Sequence, residues 1–255
     1  MRCYHMSGAG NDFMVIDGRG LELNYEDLAK KLCAITGSDG FMAVDNSDVA
    51  DFRLHYYNSD GSRGELCGNG SRCICKFAYD LGIAGSEMTV QTDAGIVSGW
   101  RLSDTQFRVR LPRPVDIDLE AKPGVAYAVC GVPHAVVEQP GLSWEQKDAL
   151  RGQAAELRFD PVFPKGANVD FYDWQDDTTV RVLSYERGVE DFTLACGTGC
   201  GALAAVLYTA GKLPGNKLTA MNPGGILQIT VEAQGGLISG LLLEGPAEVL
   251  DEYEV

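Results

Sequence analysis

A chain of 255 residues with 45% hydrophobic and 22% charged positions has the composition of a globular protein, long enough for one large domain or two of about 125 residues. Its formal net charge of −15 disfavours non-specific binding to nucleic acid or to an anionic membrane surface. MRCYHMSGAGNDF at the N-terminus has no apolar signal core, and no stretch approaches the ~18 apolar residues of a membrane span, so the expectation is a cytoplasmic protein whose eight cysteines are thiols.

The first strand read along the chain is DFRLHYYN (51–58), which alternates apolar and polar residues with aromatic content. A Gly-containing connection leads to Cys67-Gly68-Asn69-Gly70. SRCICKFAYDLG (71–82) follows as a helix-length apolar segment, stopped by Gly82. EMTVQTDAGIVSGWRL (87–102) reads as a hairpin turning at Ala94-Gly95. The stretch 138–165, with Pro140, Pro161 and Pro164, reads as the connection into a second domain, carrying a short amphipathic helix near 143–156. The same order then returns: strand TTVRVLSYE (178–186), Cys196-Gly197-Thr198-Gly199, helix CGALAAVLYTAG (200–211), and hairpin KLTAMNPGGILQITVE (217–232) turning at Gly224-Gly225.

The recurrence holds its register. Tyr57 and Tyr185 are 128 residues apart; Cys67 and Cys196, Tyr79 and Tyr208, and Gly82 and Gly211 are each 129 apart; AGIV (94–97) and GGIL (224–227) are 130 apart. The reading is a duplicated unit of strand, Cys-Gly turn, buried helix, strand, strand. The fold class expected is α+β: two pseudo-symmetric domains, each a β-barrel-like sheet wrapped on a central helix. They are placed at 1–120 and 121–255, with the chain ends able to exchange between them.

Cysteine is among the most buried residue types, and Cys3, Cys33, Cys73, Cys75 and Cys130 read as core. Cys67, Cys73, Cys75, Cys196 and Cys200 could gather around zinc, but no C-x2-C pair exists and the three histidines lack ligand spacing, so no metal is expected. Nor is there a phosphate-binding G-x4-G-K-[ST]. Cys67 and Cys196 stand apart because each enters a helix. A helix N-terminus favours thiolate, and the glycines that follow let a ligand carboxylate approach bare amides. Two such groups suit inversion of an amino-acid α-carbon: one thiolate removes the α-proton, and the opposing thiol delivers a proton to the other face. Preorganised N–H groups would stabilise charge on the carboxylate. The rival reading is a thiol redox sensor built on the same two cysteines.

SGAGNDFMVID (7–17), YNSDGSRGELCGNGSR (57–72), GVPHAVV (131–137), FPKGANVDF (163–171), YERGVEDFTLACGTG (185–199) and PGGIL (223–227) together resemble the diaminopimelate epimerase family, in the expected order over nearly the whole chain. The resemblance implies the two-domain fold just described, with the site between the domains. It also implies cofactor-independent interconversion of LL- and meso-diaminopimelate, a step towards lysine and peptidoglycan precursors. Cys67 and Cys196 match the family's two bases. Gly68-Asn69 and Gly197-Thr198 match the segments that hold the α-carboxylate. Asn11, Asn58, Asn168 and Arg187 match side chains that bind substrate, and Glu186 and His134 match polar residues near the reacting carbon. The partner expected is a small-molecule amino acid, with a homodimer as the one assembly left open. Two positions depart from the family pattern: Val132 stands where Asn is usual, and Phe192 lies in a loop that commonly carries an acidic residue. Val132 leaves open a racemase of another amino acid, such as histidine.

Overall fold

The computed structural model describes residues 1–64 and 67–254. Its contacts divide the chain into one compact unit of residues 1–109 and 244–255 and a second of residues 110–243.

The first unit opens with β1 (Arg2–Gly8) and β2 (Asn11–Asp17), an antiparallel hairpin closed by Ala9 and Gly10, both at positive φ. The last residue of β1 is a glycine because a Cβ at Gly8 would lie 2.8 Å from the Asn69 carbonyl oxygen and 3.0 Å from Cys73 Sγ. β2 then runs parallel to β3 (Gly40–Asp45). Parallel neighbours need a long crossover, which here is α1 (Tyr25–Thr36), capped by the Asn24 side chain and stopped at Gly37 with φ 73°. β4 (Phe52–Asn58) is antiparallel to β3 and parallel to β5 (Glu87–Thr92), which turns back as β6 (Gly95–Arg101). α2 (Gly68–Asp80) links β4 and β5 and packs against β1, β2, β3 and β6. β7 (Gln106–Leu111) leads out of the unit.

The second unit begins at β8 (Val115–Lys122), paired irregularly with β9 (Val125–Cys130). β10 (Val132–Glu138) is antiparallel to β9 and parallel to β11 (Asn168–Trp174). A 3-10 turn (Trp144–Gln146) and α3 (Lys147–Arg158) form the crossover between them. β12 (Thr179–Glu186) pairs with β11, with the short β13 (Asp191–Phe192), and in parallel with β14 (Lys217–Asn222), which turns back as β15 (Gly225–Gln234). α4 (Gly197–Thr209) packs against β8, β9, β10, β11, β14 and β15. β16 (Leu237–Pro246) leaves the unit, and β17 (Glu248–Glu254) pairs with β1.

The two units therefore share one pairing order: parallel over a helical crossover, antiparallel, parallel over the Cys-Gly helix, antiparallel. Each central helix is sheathed by strands, as the repeat predicts. From Cys200 to Leu207 every residue of α4 is buried, so the helix is apolar all round. Fully burying a Leu or Val side chain is worth about 1.5–3 kcal/mol.

Several sequence expectations shift. The segment 138–165 is not a link between domains; it lies wholly in the second unit, as the crossover that parallel β10 and β11 require. Its counterpart in the first unit is α1, which the sequence pattern does not announce. Both central helices begin three residues before the apolar run, at Gly68 and Gly197. The hairpin turns are Asp93-Ala94 and Pro223-Gly224, one residue earlier than expected, with Gly95 (φ 120°) and Gly225 (φ 148°) opening the return strands. Phe192 is not in a loop: it sits in β13, edge-on to Tyr185 at 5.5 Å.

Candidate active site

Cys67 and Cys196 are the N-cap residues of α2 and α4. Their backbones are extended (φ −128°, ψ 120° and φ −114°, ψ 107°), and each carbonyl accepts the first helical bond, from Ser71 N at 2.7 Å and Cys200 N at 3.0 Å. Each sulfur accepts from the amide three residues on, Gly70 or Gly199, at 3.4 Å. A cysteine thus takes the role usually given to Ser, Thr, Asn or Asp.

In the second unit, a continuous hydrogen-bonded chain reaches the cap. Ser184 Oγ donates to Asp170 Oδ1 at 2.6 Å, and the other oxygen, Oδ2, is 2.7 Å from His134 Nδ1. His134 Nε2 lies 3.2 Å from the Thr198 hydroxyl, and that oxygen is 3.5 Å from Cys196 Sγ. His134 and Asp170 are both 0% exposed. From another side Thr193 Oγ1 donates to Glu186 Oε1 at 2.5 Å, and Glu186 itself interacts with Cys196.

In the first unit the chain is different. Arg72, 0% exposed, donates to Asn69 Oδ1 (2.9 Å) and to the carbonyls of Gly68 (3.3 Å) and Pro246 (3.2 Å). Asn69 Nδ2 donates to Asn11 Oδ1 at 2.5 Å, and Asn11 Nδ2 donates to Asp39 at 2.8 Å. Asn58 holds its own turn, donating to Ser62 Oγ at 2.9 Å and accepting from the Tyr56 hydroxyl at 3.2 Å.

The structure thus brings His134, Thr198, Cys196 and Glu186 together, and gathers Asn11, Asn69 and Gly68 at the other helix start. Asn168 accepts the Arg187 amide at 2.8 Å, and the exposed Arg187 guanidinium donates to the Lys165 carbonyl at 3.0 Å. Gly197 follows Cys196 at the buried first position of α4. Sequence reasoning missed Asp170, Ser184, Thr193, Arg72 and Asp39. A signal existed for one of them: Ser184 falls where the alternation set by Val180 and Val182 in β12 calls for an apolar residue.

The electrostatics of Cys196 reverse one expectation. A helix start should lower a thiol pKa, yet Cys196 is held well above the ordinary thiol range, first by burial and then by the Glu186 and Asp170 carboxylates. The partial charge of a helix end cannot outweigh desolvation and two nearby anions. Glu186 is itself pushed up, chiefly by desolvation. His134, Asp170 and Cys196 each place one donor atom within 4.8 Å of the others, the one such trio among the described residues that could hold a metal. It is not the cysteine cluster considered from sequence, and a cation there would have to displace the hydrogen bonds that already join its members.

A model of the diaminopimelate epimerase family matches residues 3–110 and 126–250. The chain belongs to the diaminopimelate epimerase family. It is 39% identical over 246 residues to the diaminopimelate epimerase of Aquifex aeolicus, covering 86% of each chain. It is 30% identical over 261 residues to that of Flavobacterium psychrophilum, covering 100% of both. Among solved structures, a phenazine biosynthesis protein of the PhzF family from Bacillus anthracis superposes with a TM-score of 0.78 at 16% identity, over 100% of this chain and 98% of that one, which shows the fold alone. Within the diaminopimelate epimerase family, the departure at Val132 has a structural counterpart in this chain. The strand registers make Val132 of β10 equivalent to Asn11 of β2, because His134 opposite Asn168 matches Phe13 opposite Gly40. The amide-to-amide bond between Asn11 and Asn69 therefore has no equivalent between Val132 and Thr198.

Proposed function

We propose that this chain inverts the α-carbon of diaminopimelate, converting the LL to the meso isomer, with Cys67 and Cys196 as its two acid–base groups and no cofactor taking part. The observation that carries the reading is the pair of cysteine N-caps, each on a buried central helix followed by Gly-x-Gly, at equivalent places in two units of one pairing order. A thiolate on one cysteine takes the α-proton and a thiol on the other returns a proton to the opposite face. The amides at Gly68-Asn69 and Gly197-Thr198 supply donors for the carboxylate, where negative charge grows as the C–H bond breaks. Asn11, Asn58, Asn168 and Arg187 read the distal amino-acid group, and Glu186 and His134 bear on the reacting centre. The acidic surface, at −15 overall, suits a small zwitterion rather than nucleic acid or an anionic membrane. No described helix is long and apolar enough to cross a membrane. We place the activity in the cytoplasm and keep a homodimer as its assembly.

The test is proton NMR of LL-diaminopimelate in D2O with the reduced protein and no added cofactor. Loss of the α-proton signal with growth of the meso isomer is expected. Val132 favours one second reading, a racemase of another amino acid such as histidine, because a valine offers no hydrogen bond to a polar side chain. A large preference for histidine in the same assay would replace diaminopimelate as the substrate. Absence of exchange with every amino acid would leave the thiol redox sensor.

A further inference from the structure

The two helix starts are built alike but are chemically unequal. Register equates Phe13 with His134, Met42 with Asp170 and Tyr56 with Ser184, since Met42 faces Tyr56 as Asp170 faces Ser184. The glycines confirm the equivalence. A Cβ at Gly70 would meet Met42 Sδ at 3.2 Å and Phe13 Cζ at 3.4 Å, whereas one at Gly199 would run into the Asp170 carboxylate. A thioether and two aromatic rings occupy the slot in the first unit; a carboxylate, an imidazole and a hydroxyl occupy it in the second.

We propose that Asp170 is a positioning residue that fixes the direction of the hydrogen-bond chain ending at Cys196, and so keeps the proton on that sulfur in the resting protein. Asp170 as a carboxylate can only accept. Ser184 donates to one oxygen, so the 2.7 Å contact at the other places the proton on His134 Nδ1. Nε2 is then a bare acceptor in a fully buried ring, and the donor within reach is the Thr198 hydroxyl at 3.2 Å. With its proton committed to Nε2, Thr198 offers Cys196 only a lone pair across the 3.5 Å contact, so the thiol keeps its one proton and shares it between two acceptors, Thr198 and the Glu186 carboxylate. From Thr198 onward every proton thus points towards Asp170, and none points at Cys196. Cys196 is loaded as the acid of the pair until its proton leaves, when the Thr198 hydroxyl can turn to the sulfur. The acid role rests on the epimerase reading; the direction of the chain does not.

Asparagine at position 170 reverses the direction. It can still accept from Ser184, but its NH2 faces His134 Nδ1, so the ring proton moves to Nε2, Thr198 becomes its acceptor, and the hydroxyl turns to Cys196. The experiment is long-range 1H–15N correlation of the three imidazoles in the whole protein at about pH 9, where an unperturbed imidazole is neutral. Wild type should show His134 as the Nδ1–H tautomer, D170N as Nε2–H, and S184A as Nδ1–H still. D170N should lose about 10²-fold in kcat with KM little changed, as expected when proton transfer but not binding is disturbed. Cys196 in D170N should alkylate at lower pH while buried Cys130 and Cys200 stay unreactive, which general loosening would not allow. An Nε2–H tautomer or an imidazolium in wild type overturns the proposal even if D170N fails to fold. Failure of the epimerase reading is separate, being absence of inversion by wild type.

Discussion

Gly70 and Gly199 occupy equivalent third positions in α2 and α4, and adding one methyl to each should give opposite results. At Gly70 the new Cβ meets the flexible end of Met42 at 3.2 Å and the Phe13 ring at 3.4 Å, contacts relieved by a small shift. Alanine also gains up to about 1 kcal/mol of helix propensity over glycine, so Gly70→Ala should be near neutral. At Gly199 the Cβ overlaps the Asp170 carboxylate, which is 0% exposed and held between Ser184 and His134. Overpacking costs about 1–3 kcal/mol, and weakening a hydrogen bond to a buried charge a further ~1.5–3 kcal/mol. Less the propensity gain of up to about 1 kcal/mol, the net is about 1.5–5 kcal/mol. At about 2–4 °C per kcal/mol for a chain of this size, differential scanning calorimetry should show Gly199→Ala melting roughly 3–20 °C lower and Gly70→Ala within ~2 °C of wild type. Equal drops, or an unshifted Gly199→Ala, would refute the assignment of that slot to Asp170.

Three further outcomes follow from named residues. Burial pushes Cys73, Cys75 and Cys130 up to about 12 and Cys196 well up, while Cys67 is half-buried. Iodoacetamide at about pH 8 should therefore label Cys67 at least ~10-fold faster than Cys196, read peptide by peptide in a mass spectrometer; a Cys196 that labels first would contradict the electrostatics. Glu186 titrates above its unfolded value, so the stability it contributes is complete below about pH 4.5 and is lost as pH rises through its folded pKa. Glu186→Gln should consequently gain Tm relative to wild type at pH 7–8 (about three units higher) but not at about pH 4, and the same gain at both would sink the argument. Val132→Asn puts an amide at the position equivalent to Asn11; kcat/KM for diaminopimelate should rise by up to about tenfold, the worth of one hydrogen bond, and a fall would show that the pocket uses the valine's apolar surface.

What the sequence revealed was governed by periodicity and by the repeat. Strands β4 and β12 alternate visibly, the central helices are runs of apolar residues ended by Gly82 and Gly211 at positive φ, and the register of the two cysteines carries the duplication. Parallel pairing was harder to read, because β2, β3, β10 and β11 are largely buried and show little alternation. Without them, 138–165 reads as a connection between domains that carries a short helix, and the segment of α1 receives no assignment. The cysteines could be placed at helix starts from the glycines alone. Their inequality could not, since it arises from strands that meet only in the folded unit: Asp170 lies 26 residues before Cys196, yet touches the chain that ends on its sulfur.

The central claim, that two cysteines share the inversion, is tested most directly by α-proton exchange in D2O with Cys67→Ala and Cys196→Ala, each given the LL and meso isomers separately. Each variant should lose inversion by at least about 10²–10⁴-fold, while retaining slow exchange at the α-carbon of the one isomer that its remaining thiol addresses. A variant of either cysteine that still interconverts the isomers at the wild-type rate would contradict the account.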